Sequence, residues 1–71
     1  MAHRRFYEVI PEWGDTSAEP QEFEYSEAGL RAACDDYHVH RTAGLNPSVW
    51  LVFLDEGTGE RDETPVLQPL R

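Results

Sequence analysis

The chain has no lysine, and all six of its basic residues are arginine. It has one cysteine, Cys34, so no internal disulfide can staple the fold, and the disulfide-stapled scaffolds of small secreted domains are excluded. The longest apolar run covers six residues, 49–54. A membrane helix needs about 20, so no span is predicted. No apolar stretch follows Arg4 and Arg5, which excludes a signal peptide. In Asn46-Pro47-Ser48 the central proline excludes N-glycosylation. These absences predict a cytoplasmic protein with no membrane contact.

Acidic residues are abundant. Fourteen acids face six bases, for a net charge of −8 in 71 residues. A field of this sign repels nucleic acid and anionic membrane and attracts basic surfaces. Direct nucleic-acid binding needs a basic footprint with stacking aromatics, and here the sign is wrong. Lysine is missing and isoleucine and asparagine occur once each, whereas Ala, Gly, Arg and Pro are plentiful. That pattern points to a GC-rich coding sequence, in a GC-rich bacterium or in a phage or mobile element living in one.

The length predicts a single domain over residues 1–71. A domain this small buries only about 60% of its unfolded surface, which leaves little room for a catalytic cleft beside the core. Residues 49–54, Val-Trp-Leu-Val-Phe-Leu, are the one stretch able to anchor that core and predict a central strand. Val49, Leu51 and Phe53 take one face; Trp50, Val52 and Leu54 take the other. Residues 4–10 read as a first strand ended by Pro11, with Phe6, Glu8 and Ile10 opposite Tyr7 and Val9. The pattern leaves the inward set of this strand open. Residues 21–25 alternate cleanly, placing Phe23 and Tyr25 inward and Glu22 and Glu24 outward.

Ser26 reads as a helix N-cap with Glu27 in the first turn. The helix is expected to run to about Tyr37 or His38, with a core stripe of Leu30, Ala33, Cys34 and Tyr37. Gly29 costs about 1 kcal/mol relative to alanine in that helix, and its small size allows a close approach to the sheet. Asp55-Glu56-Gly57-Thr58-Gly59-Glu60 is a turn. A last strand near Glu63 takes in Val66 and Leu67, and Pro65 and Pro69 confine it to an edge or keep it short. The order β-β-α-β-(β) predicts an α+β domain, an antiparallel or mixed sheet with one helix on one face. The same element order occurs in β-grasp folds.

Cys34, His38 and His40 are the one metal-like cluster, with His3, Asp35 or Asp36 as a fourth donor. On the core stripe, however, Cys34 behaves as a small hydrophobe, and the histidines are then solvated. No phosphate loop, paired metal motif or activated nucleophile is present, so neither a cofactor nor an enzymatic activity is predicted.

The acids carry the strongest functional lead. Glu22 and Glu24 are spaced about 6.6 Å apart by strand rise, of the order of a nucleic-acid phosphate step. Glu8 falls on the neighbouring strand, and Glu12 and Asp15 lie in the long loop of residues 11–20 beside Trp13. Asp55 and Glu56 form a second group at the far turn. Glu8, Glu12, Trp13, Asp15, Glu22, Glu24, Asp55 and Glu56 are therefore the expected partner-binding residues. Their partner is expected to be a basic protein surface on a nucleic-acid-binding protein. Small anti-CRISPR proteins are of this general kind, phage inhibitors that act on a host defence complex by nucleic-acid mimicry. Two alternatives are a self-associating subunit that buries the second face of residues 49–54 in a homodimer, and a metal protein built on Cys34, His38 and His40.

Overall fold

In the computed structural model, which describes residues 3–70, the chain forms strands β1 (His3–Ile10) and β2 (Gln21–Glu24), helix α1 (Glu27–Thr42) and strands β3 (Ser48–Asp55) and β4 (Arg61–Leu67). The sheet order is β2-β1-β3-β4 and every neighbouring pair is antiparallel, which decides between the antiparallel and mixed alternatives. β2 and β3 flank β1 and run in the same direction, so α1 is a crossover that steps over β1. A 16-residue helix is about 24 Å long, close to the length of an eight-residue strand, so α1 carries the chain back along the whole sheet.

Local chemistry sets the ends of α1. The Ser26 hydroxyl accepts from the Gly29 N–H at 2.9 Å, and Glu27 places a negative charge in the first turn. The helix runs past the expected end near His38 and stops at Thr42. No breaker stands between His38 and Thr42. The stop comes at Gly44, whose φ of 88° takes the chain out of the helix. His38 and His40 are therefore helical, not loop residues.

The residues buried on α1 are Gly29, Ala33 and Tyr37, a line at i, i+4 and i+8, while Leu30 and Cys34 from the expected stripe are half-buried. Gly29 explains this placement. A β-carbon there would collide with the backbone carbonyl of Glu24 at the end of β2. Hydrogen is the one side chain that lets α1 pass so close, so the helix seats on its glycine.

Val9, Ala33, Tyr37 and Val49 form the core, with Tyr7, Phe23 and Leu67 packed against it. Tyr7 and Val9 are thus the helix-facing set of β1. Tyr25 was expected to point inward, but it lies one residue beyond β2 and is 45% exposed, with its ring 5.5 Å from that of Tyr7. β4 is an edge strand, as Pro65 requires, and its register shifts between Val49 and Trp50 on β3. β3 is buried on both faces: Val49 and Val52 point in opposite directions and both are fully buried.

Candidate interaction surface

The helix covers only one face of the sheet, yet Phe6 and Val52, paired across β1 and β3 on the other face, are as buried as the core. Arginine side chains cover them. The Arg4 guanidinium lies 5.0 Å from the Phe6 ring centre and reaches Glu22 on β2 at 2.7 Å. Arg61 comes from the opposite edge. It pairs in register with Leu54, and its guanidinium reaches Glu8, which pairs with Trp50. The path between these rows crosses β3 over Val52. Arg61 bonds both Glu8 oxygens at 3.2 and 3.1 Å, contacts Glu63 at 3.5 Å and comes within 5.9 Å of the Phe6 ring. The aliphatic stems of both arginines exclude water from the apolar pair while their charges stay hydrogen-bonded.

This arrangement changes the standing of three expected partner-binding acids. Glu8 is 7% exposed and is held by Arg61, so its carboxylate is part of the fold and is not offered to a partner. Glu22 is neutralised by Arg4, and the Glu24 carboxylate accepts from the Ser26 hydroxyl at 2.8 Å. Glu22 and Glu24 do share the face away from the helix, as their spacing requires. One of the two charges is already matched.

The loop between β1 and β2 has a different character. Despite two prolines and Gly14, it is tied down at several points. The Trp13 N–H donates to the Asn46 carbonyl at 2.9 Å, and the Asn46 N–H donates to the Glu12 carboxylate at 3.1 Å. The Asn46 side-chain oxygen accepts from the Leu70 N–H at 3.0 Å, which brings the C-terminal segment to the same post. The Trp13 ring stacks on Trp50 at 5.4 Å and 22°, and the Trp50 indole N–H donates to the Ser48 hydroxyl. Farther along, the Asp15 carboxylate accepts from both the hydroxyl and the N–H of Ser17, at 2.6 and 2.9 Å. Chiefly the hydroxyl bond, and then the backbone bond, hold the Asp15 carboxyl below its ordinary value of 3.8.

Trp13 thus both covers the sheet and remains accessible. It closes over Trp50 and is still 46% exposed. Ile10, Trp13, Ala18 and Pro20 line a hollow of about 520 Å³, and Glu12 and Asp15 stand in its wall. At the opposite end of the sheet the Asp55 carboxylate accepts from the N–H groups of Gly57 and Thr58 and shapes the β3–β4 turn, leaving Glu56 exposed. The two acidic groups are separated by the length of β3, about 25 Å. Of the fourteen acids, Glu8, Glu22, Glu27, Asp36 and Glu63 have an ion-pair partner among the described residues. Glu12, Trp13 and Asp15 come together at one pole, and Asp55 and Glu56 at the other.

Comparison with protein-family models, with curated proteins and with solved structures finds no match. The site therefore rests on its own geometry. The Cys34, His38 and His40 set is not assembled, and among the described residues no three His, Cys, Asp or Glu groups are placed to hold a metal ion. On a helix His40 lies about 200° around from His38, and it pairs with Asp36 at 3.3 Å. Two organising residues escaped the sequence reading. Asn46 carries no local motif for its role as a post, because its partners Glu12, Trp13 and Leu70 are distant in the chain. Arg61 sits beside a turn and its role depends on a buried acid two strands away.

Proposed function

We propose that this protein is a non-enzymatic binding module that engages a basic surface of another protein, and that the surface belongs to a nucleic-acid-binding protein. The observation that carries this reading is the pole formed by Glu12, Trp13 and Asp15. A half-exposed tryptophan and two carboxylates stand on a loop already held in shape by Asn46, Trp50 and Ser17. Tryptophan is enriched at binding hot spots, and a preorganised loop lowers the entropic cost of association. The net charge of −8 supplies long-range attraction to a basic partner. Size, charge and the GC-rich coding pattern suit a phage or mobile-element accessory protein that inhibits a host defence complex.

The test is capture on immobilised protein, with elution by salt and by duplex DNA. Captured nucleic-acid-binding proteins are expected to elute between about 0.05 and 0.3 M NaCl and to be displaced by DNA that competes for the same groove. Capture that persists above about 0.5 M NaCl and ignores added DNA would overturn the proposal.

A further inference from the structure

The hollow beside Trp13 has a composition that selects its occupant. Its lining is apolar at Ile10, Trp13, Ala18 and Pro20. The stack on Trp50 uses one face of that ring and leaves the residue 46% exposed. Glu12, Asp15 and Thr16 supply the polar part of the lining, and the two carboxylates are its charged groups. Each carboxylate has one oxygen tied to the fold: Glu12 Oε2 accepts from the Asn46 N–H, and Asp15 Oδ1 accepts from Ser17. The other oxygen of each has no hydrogen-bond donor among the described residues.

We infer that this hollow is a pocket for one arginine side chain of the partner. Three methylenes suit the apolar lining. A planar guanidinium stacks on an indole and donates to carboxylates at its edge, and it sheds water more readily than an ammonium does. An aliphatic or aromatic side chain would leave two carboxylates facing an apolar group, at a cost in desolvation. A lysine would meet the charge but would lose the planar stack. This pocket deepens the proposed function and rests on it for its biological partner, but arginine binding can be measured alone.

The probe is N-acetyl-arginine amide, titrated into the full-length protein and followed by amide and indole NMR shifts. Saturable shifts are expected at Trp13, Asp15 and Ala18. N-acetyl-citrulline amide, which has the shape without the charge, is expected to bind at least tenfold more weakly, and N-acetyl-lysine amide to fall between them. The Glu12→Gln, Asp15→Asn double variant keeps an oxygen for Asn46 and for Ser17, so the loop stays formed. It is expected to weaken arginine binding about tenfold or more. Equal binding of citrulline, shifts centred on Glu22 and Glu24 or on the Asp55 turn, or a double variant that binds as well as the parent would each overturn the pocket. The two readings fail separately. Salt-sensitive, DNA-displaceable capture by the parent, with no arginine binding at the hollow, removes the pocket and keeps the acidic module. Arginine binding at the hollow without any such capture keeps the pocket and removes the module.

Discussion

At the scale of single residues, Gly29 and Asp15 show how little chemistry separates a tolerated position from a required one. On propensity alone Gly29→Ala should stabilise α1 by about 1 kcal/mol. The added methyl would collide with the Glu24 carbonyl, which is backbone and cannot rotate away. Overpacking of this kind costs about 1–3 kcal/mol or more, so the clash wins. Gly29→Ala is expected to lower the urea midpoint with a net loss of about 2 kcal/mol, and an unchanged or raised midpoint would show that α1 can lift off β2 at little cost. Asp15 has a folded pKa below its ordinary 3.8. The stability it contributes is therefore present above the unfolded value and is lost as pH falls through the lower folded one. Ser17→Ala removes the larger of the two bonds to Asp15. An NMR titration should then show the Asp15 carboxyl moving upward, and an unmoved titration would assign the shift to the backbone bond alone.

At the scale of elements, the helix and the arginine cover divide the work of burying β3. α1 shields Val49 and its neighbours, and Arg4 and Arg61 shield Phe6 and Val52. The Arg61–Glu8 pair joins β4 to β1 across β3, with Glu8 buried. Removing one partner of a buried pair leaves a charge without compensation, which costs far more than the pair itself contributes. Arg61→Ala is expected to destabilise by about 2–3 kcal/mol, taking a value below the full range for buried pairs because Arg61 is partly exposed. The Glu8→Leu, Arg61→Leu double variant should return to within about 1 kcal/mol of the parent. Chemical denaturation of the full cycle checks both, and a double variant as unstable as Arg61→Ala would mean that the charges themselves hold the edge strand.

At the scale of the whole molecule, charge is the main unresolved strain. Fourteen acids and six bases are carried on a body 40 × 26 × 16 Å, and the loop and turn acids sit at opposite ends of it. At about 0.01 M salt the Debye length is about 30 Å, long enough for these poles to repel; at about 0.1 M it is about 10 Å. The melting temperature is therefore expected to rise by several degrees between these salt concentrations. A fall would mean that the ion pairs at Arg4 and Arg61 outweigh the general repulsion. The same cover of Phe6 and Val52 also removes the reason for a second chain on that face. Sedimentation is expected to show a monomer, and a dimer would have to use another exposed apolar group, such as Trp13 or the Tyr25 and Phe53 rings beside Arg5.

Local pattern was enough to specify the element order, the helix N-cap at Ser26, the central place of residues 49–54 and the edge position of the proline-containing last strand. Periodicity, capping and proline chemistry act over a few residues and are legible in one dimension. The end of α1 was less legible, because nothing before Gly44 marks a stop. The inward face of β1, the use of Glu8 inside the fold and the joining of Glu12, Trp13 and Asp15 into one pole were decided only by tertiary structure. Each depends on a partner far along the chain: α1 for Val9, Arg61 for Glu8, Asn46 and Trp50 for the loop. A carboxylate beside an arginine and a carboxylate beside water have the same letter in the sequence, and only the packing of distant strands distinguishes them.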